Sequence, residues 1–215
     1  ETYLFIDDVI RELSEMTPGA FIHIGGDESL VTQKDDYLYF VQRVESLVQK
    51  YGKRMIGWDE VATVKLNKGS VVQQWHSEDN AKLAAQSGNQ VILSPATHTY
   101  MDMKYDSSTR VGQDWAGLIP VKHGYDWLPD TLNDGTTRDL ILGVEAPLWT
   151  EFVEDYSELE YMVFPRFAGY AELAWSQNSY INWYAYQKRL EKFAIRWDRE
   201  QVNYFKDPSI FIENR

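Results

Sequence analysis

The sequence predicts an α/β fold, a partial (β/α)8 TIM barrel of about five C-terminal β/α units. Three observations lead there. Five short apolar runs alternate with helical stretches, polar and aromatic residues gather just after each run, and no phosphate-binding glycine fingerprint follows any of them. Strands alternating with helices pair in parallel through right-handed crossovers, which puts every C-terminal strand end on one face of the sheet. Active sites of such folds sit at that face. At 215 residues the chain exceeds a minimal domain and falls short of the roughly 250 residues of a whole eight-unit barrel. Residues 1–215 are therefore read as a single barrel domain lacking its N-terminal strands. The chain opens with Glu-Thr-Tyr, already inside a helical pattern and without Met, so an upstream segment is expected.

Residues 2–16 set Leu4, Phe5, Val9, Leu13 and Met16 near one helical face, and Pro18-Gly19 ends the pattern. Residues 20–24 form a first strand that halts at Gly25-Gly26, before Asp27-Glu28. A helix runs from about 36 to 51 and stops at Gly52. Residues 54–58 and 71–75 read as strands, 79–87 as a helix closed by Gly88, and 90–93 as a further strand. Residues 94–137 lack periodicity and are rich in Gly, Asp and aromatics, a loop of the length that usually carries function. Residues 141–144 form the fifth strand. Helices follow over about 157–175 and 180–200, then an irregular tail. Trp175, Trp183 and Trp197, with Tyr170, Tyr180 and Tyr184, fall at helical spacing in apolar stretches and are assigned to the core. Trp115 and Trp127 either line outer binding positions or bury the long loop's own small core.

The 21 basic against 33 acidic side chains leave a net charge of 21 − 33 = −12 with no basic cluster, which repels polyphosphates and excludes a nucleic-acid partner. No apolar run nears the roughly 18 residues of a membrane span, so no membrane partner is expected. The N-terminus lacks the layout of a signal peptide. Zero cysteines exclude disulfides and thiolate metal sites. The histidines His23, His76, His98 and His123 have neither i, i+4 nor His-x-His spacing, so no metal and no cofactor is expected. Eight Trp and 14 Tyr are an excess that needs a reason.

In His23-Ile-Gly-Gly-Asp27-Glu28 two glycines allow a sharp turn and deliver two carboxylates to a strand exit. An adjacent acid pair is also what a charged first helical turn looks like, and Asp59-Glu60 is read that way. Asp27-Glu28 differs by position: it closes a strand expected to be buried, beside converging Trp residues. Neighbours in an extended segment point to opposite sides, so the pair cannot serve as acid and nucleophile across one bond. If Glu28 protonates a leaving oxygen, Asp27 holds substrate and the nucleophile comes from elsewhere. His23 is expected to brace the loop that carries Asp27.

Taken in order, His23-Ile-Gly-Gly-Asp27-Glu28, Gly57-Trp58-Asp-Glu, Gln74-Trp75-His76, Tyr100-Met-Asp102 and Glu145-Ala-Pro-Leu-Trp149-Thr-Glu151 resemble the signature segments of family 20 β-N-acetylhexosaminidases. The resemblance implies hydrolysis of terminal β-linked N-acetylglucosamine or N-acetylgalactosamine from a glycan, with retention. The substrate's own 2-acetamido oxygen would be the nucleophile, an exception to the two-carboxylate scheme. It implies Glu28 as general acid/base, Asp27 as the carboxylate orienting the acetamido N–H, and Tyr100 as hydroxyl donor to the acetamido oxygen. Trp58, Trp75 and Trp149 become pocket walls, and Asp102 and Glu151 acceptors for the 4- and 6-hydroxyls. No segment matches the Arg and the Asp-His pair that the family's first three strands bring, so a second chain or an upstream segment is expected to complete the barrel. A non-catalytic amino-sugar-binding protein, a lacto-N-biosidase-type variant and a metal-dependent hydrolase are the rival readings. Absence of cysteine favours a bacterial source, secreted or cell-surface, over a lysosomal one.

Overall fold

A computed structural model of the chain describes residues 1–129, 132 and 138–211. They form two compact units: Glu1–Leu93 with the segment ending at Gly143, and Ser94–Pro129 with Val144 onward.

The first unit holds a sheet of β1 (Phe21–His23), β2 (Arg54–Trp58), β3 (Val71–Gln74), β4 (Gln90–Leu93) and β5 (Ile141–Val144), in that spatial order. β1 to β4 pair in parallel, with Ile22 opposite Met55, Gly57 opposite Val72, and Val72 opposite Val91. All four residues of β3 are buried, as a strand covered on both faces requires. Among the described residues three α-helices accompany the sheet: α1 (Thr2–Met16), α2 (Lys34–Lys50) and α3 (Glu78–Gln86). In α2, Val41, Val44, Glu45 and Val48 are buried at i, i+3, i+4 and i+7, the stripe of a helix lying on a sheet. The buried Glu45 carboxylate accepts from the Asn67 amide (2.9 Å), Asn67 Nδ2 (2.8 Å) and Ser70 Oγ (2.6 Å), donors that make its burial tolerable.

The apolar face expected of α1 is a correction. Leu4, Phe5, Val9, Leu13 and Met16 are exposed, and Ile10 is the buried residue. Two apolar stripes run along this helix, and the one carrying Tyr3 meets α2, where its ring lies 5.9 Å from Tyr39 and 6.3 Å from Phe40.

In the second unit the long aperiodic stretch contains two short helices, α4 (Ala96–Thr99) and α5 (Val121–Tyr125). Residues 130, 131 and 133–137 of that stretch lie outside the described residues. The single helix expected over 157–175 is two, α6 (Tyr156–Val163) and α7 (Arg166–Trp175), parted at Pro165, whose missing N–H and bulky ring end a helix. α8 (Trp183–Glu200) starts at an Asn182 cap whose side chain accepts from the Ala185 amide (3.0 Å). Met101, Tyr105, Val121, Tyr125, Met162, Tyr170, Leu173, Tyr186, Leu190 and Trp197 are buried together in this unit's core.

Trp197 and Tyr170 join that core as expected, and Trp183 packs against it. Trp175, Tyr180 and Tyr184 do not: all three are exposed, Trp175 at 91%. Trp175 lies two residues beyond the buried Leu173, and Tyr184 two before the buried Tyr186. Two residues are about 200° of helix, which puts each on the opposite face.

Candidate active site

In the first unit His23 and Trp58 are the last residues of β1 and β2, and Asp27, Glu28 and Trp75 follow the ends of β1 and β3. β1 stops at His23, and residues 24–29 run irregularly, so Asp27 and Glu28 do not lie in the extended segment expected for them. Both are exposed, and the strand they follow, expected to be buried, is buried only at Ile22. Gly25 and Gly26 take φ of 75° and 100°, and Glu28 follows at φ 50°, a left-handed conformation that costs a side-chain-bearing residue about 1 kcal/mol or more. The turn is pinned from several sides. His23 Nδ1 accepts from the Gly25 amide (3.0 Å), the Gly25 carbonyl accepts from the Trp58 amide (2.9 Å), and the Tyr37 hydroxyl donates to the Gly26 carbonyl (2.7 Å). Burial, then the charges of Glu60, Asp27 and Asp59, push the Tyr37 hydroxyl far above its ordinary range, so it stays a donor. A Cβ on Gly26 would meet Val61 Cγ1 at 2.8 Å and one on Gly57 would meet it at 2.7 Å; the two glycines let the turn after β1 and the strand β2 both close on the buried Val61. The rings of His23 and Trp58 lie edge to face at 5.2 Å.

Asp59 and Glu60 do stand in a charged first turn, as read from their adjacency, here that of a 3₁₀ helix (Asp59–Thr63), but neither side chain caps it. Asp59, buried, accepts through Oδ2 from the amides of Trp75 (2.9 Å), His76 (2.9 Å) and Ser77 (3.0 Å), and through Oδ1 from Asn80 Nδ2 (3.0 Å). It therefore shapes the β3–α3 turn that carries Trp75. Glu60 reaches the other way: Oε1 accepts from the Glu28 amide (3.2 Å) and Oε2 from the Trp75 indole N–H (3.1 Å).

In the second unit Tyr100, Asp102, Trp149 and Glu151 stand in the loops after α4 and β5. Tyr100 is buried, its ring 6.1 Å from Trp149 and 6.0 Å edge-on from Trp115. The Met101 amide donates to the Pro147 carbonyl (2.8 Å), which ties the two loops. Asp102 is 2% exposed, and neither carboxylate oxygen makes a well-formed hydrogen bond among the described residues, the amides of Asp102 and Trp149 being its nearest polar neighbours on the backbone. Burial pushes its carboxyl up to about 6; the amides of Asp102 itself and Trp149 oppose the rise, the Glu151 charge adds to it, and Arg166 opposes it.

Arg166 is a residue that sequence reasoning missed. Fully buried, it donates from Nη2 to the carbonyls of Met101 (2.6 Å) and Met162 (2.9 Å), and from Nη1 to those of Met103 (2.7 Å) and Ile119 (3.2 Å). Its guanidinium carbon sits 3.8 Å from the Tyr105 ring centroid. The carbonyls of residues 101 and 103 flank Asp102, so this clamp fixes that carboxylate's place. The long loop's two indoles differ in burial. Trp127 packs against the unit's core and donates to the Gly124 carbonyl (3.0 Å), while Trp115 stays exposed against Tyr100. Among the described residues no three His, Asp or Glu side chains gather to hold a metal ion.

Residues 30–178 match the catalytic domain of glycosyl hydrolase family 20. The chain belongs to that family. The matched stretch contains Trp58, Trp75, Tyr100, Asp102, Trp149 and Glu151 and begins two residues after Glu28. A β-N-acetylhexosaminidase of Cellulomonas fimi is 40% identical over 96% of this chain, which corresponds to 42% of that protein. Among solved structures, the family 20 β-N-acetylhexosaminidase of Streptomyces coelicolor A3(2) superposes with a TM-score of 0.92 at 41% identity, covering 97% of this chain and 44% of the other. A mutant Streptomyces plicatus β-hexosaminidase in complex with product, GlcNAc, does so at 0.93 and 42%, covering 97% and 43%. The chain thus spans less than half the length of these family 20 relatives. The α/β reading stands, and with it the partial barrel.

Proposed function

We propose that this family 20 chain serves a retaining β-N-acetylhexosaminidase that removes terminal β-linked N-acetylglucosamine or N-acetylgalactosamine from glycans. The observation that carries the reading is Asp102, a buried carboxylate whose oxygens make no well-formed hydrogen bond within the described residues, two positions from Tyr100, whose ring lies 6.1 Å from that of Trp149. A buried acceptor without a partner costs about 1–3 kcal/mol or more, a penalty that a donor from a ligand removes. Sugar hydroxyls are such donors, and indoles suit the C–H faces of a pyranose. The names of the relatives support the same class of substrate.

In the first step Glu28 gives its proton to the glycosidic oxygen. The acetamido carbonyl oxygen then attacks C1 as the C1–O bond breaks, giving an oxazolinium ion with its positive charge over the former amide. Asp27 accepts the N–H and stabilises that charge, and Tyr100 donates to the acetamido oxygen. In the second step Glu28, now a carboxylate, takes a proton from water, whose oxygen opens the ring at C1 and restores the original configuration. A thiazoline mimic of the oxazolinium should therefore bind far tighter than the free sugar. Turnover of an aryl N-acetyl-β-glucosaminide by the intact protein, with no turnover of the matching plain β-glucoside, is the expected result. Ready cleavage of the plain glucoside would refute participation by the acetamido group, and binding without turnover would leave an amino-sugar-binding protein.

A further inference from the structure

We infer that Glu60 is a positioning residue of this site, one carboxylate that sets both the loop bearing the acid Glu28 and the indole plane of Trp75. The inference rests on the hexosaminidase reading for the roles of those two residues, and on geometry for the link between them. Oε1 of Glu60 takes the Glu28 amide at 3.2 Å and Oε2 takes the Trp75 indole at 3.1 Å, so residues 32 and 15 positions away in sequence share one anion. Glu28 holds φ 50°, a conformation its own side chain disfavours and which persists only under outside restraint. The Glu60 bond acts on that very residue's amide. On the other side, the Asp59 carboxylate grips the backbone of residues 75–77 and leaves the Trp75 ring to be aimed by other contacts. The two adjacent acids thus act in complement. Asp59 places the turn, and Glu60 sets the ring and the acid loop against each other.

The chemistry of the pair makes the role specific. Both partners of Glu60 are donors, so the site needs two acceptor oxygens on one planar group, which a carboxylate supplies and a carboxamide of the same shape does not. In Glu60→Gln one N–H is left facing an NH₂ group. A displaced acid hurts only when the leaving oxygen needs its proton, whereas a displaced wall hurts binding of any substrate.

The test uses the intact protein with wild type, Glu60→Gln and Glu60→Asp, the last retracting the carboxylate by one methylene. Far-ultraviolet circular dichroism and thermal unfolding report the fold. On an N-acetyl-β-glucosaminide with an alkyl leaving group, kcat of Glu60→Gln should fall about 10–100-fold, the cost of an acid misplaced by about 1 Å. On an activated nitrophenyl substrate kcat should hold within about threefold while KM rises. Equal kcat losses on both substrates, or loss of the fold in both variants, would make Glu60 a merely structural residue and overturn the inference. A readout independent of turnover separates it from the parent reading: hydrogen exchange of the Trp75 indole N–H, assigned with Trp75→Phe, should speed at least about tenfold in Glu60→Gln. Unchanged exchange overturns the inference whatever the activity. Wild-type protein inactive on every N-acetylhexosaminide would instead overturn the hexosaminidase reading, with the indole exchange still deciding the Glu60 link.

Discussion

Glu28 and Asp102 are both carboxylates, yet their surroundings ask different things of them. Glu28 is exposed on a left-handed turn, with its amide held by Glu60 and its side chain open to meet a substrate. For Glu28→Gln we expect turnover on a poor leaving group to fall by about 10²–10⁴, the usual worth of general acid catalysis, with a much smaller loss on an activated phenol. Steady-state kinetics on the two substrates check this, and equal losses would remove Glu28 from the acid role. Asp102 is buried, and its carboxyl is raised from 3.8 to about 6 by that burial. The folded state then holds a proton that the unfolded chain gives up, so this group's contribution to stability is full below about pH 4 and is lost as pH rises through about 6. Urea unfolding at pH 4.5 and 7 should show that fall in wild type and not in Asp102→Asn. Ligand hydroxyls favour the ionised acceptor, so KM should fall as pH rises through about 6, and the Asn variant should lose that part of the profile. An identical profile in Asp102→Asn would refute the role of Asp102 in substrate binding.

At the scale of the element, the loop after α4 depends on α7. Arg166, the first residue of that helix, donates to carbonyls at 101, 103, 119 and 162, three of them in the long aperiodic segment. Arg166→Met leaves those buried carbonyls without their donor and should destabilise the protein by about 3 kcal/mol or more, read from denaturant unfolding. It also removes a positive charge that lowers the Asp102 carboxyl, so the pH dependence assigned to Asp102 should move above 6. A variant of wild-type stability with an unmoved profile would show that the clamp is dispensable. This dependence is also what the sequence hides. Strand and helix bounds are legible to within a few residues because periodicity and Gly or Pro stops are local signals, as at Pro18-Gly19 and Gly88. The break between α6 and α7 is readable in principle too, since Pro165 stands inside the helical pattern, as is the Asn182 cap that begins α8. The partners of Arg166 are not, because its carbonyls lie 4 to 65 positions away and carry no residue-type signature. Glu60 falls between these cases. Its bonds are long-range, but an acid pair directly after the strand-ending Trp58, like Asp27-Glu28 in the turn after β1, stands at a strand exit, and that position is legible in the sequence.

For the whole molecule the exposed apolar surface sets the expectation. Leu4, Phe5 and Met16 on α1, Leu30 and Val31 just after Glu28, and Trp175, Tyr180 and Tyr184 in the second unit all stand in solvent. Patches of this kind on a soluble protein mark surfaces that pack against something, and covering them contributes roughly 25 cal/mol per Å². Among the described residues β1 and β5 end the strand order, and no further strand pairs with either edge. Against association stands the net charge of −12, but at physiological salt charges farther apart than about 8 Å are largely screened. The apolar term does not fade with salt. The 215-residue chain purified by itself should therefore associate, more strongly at 0.5 M than at 0.05 M sodium chloride, and should turn over an aryl N-acetyl-β-glucosaminide weakly or not at all, given that its relatives are more than twice as long. Light scattering and an activity assay on one sample measure both. Leu4→Glu combined with Phe5→Lys, placed on the exposed face of α1, should reduce association without disturbing Ile10 beneath. A monodisperse monomer with full activity at both salt concentrations would mean that these faces need no cover and that five strands suffice for catalysis.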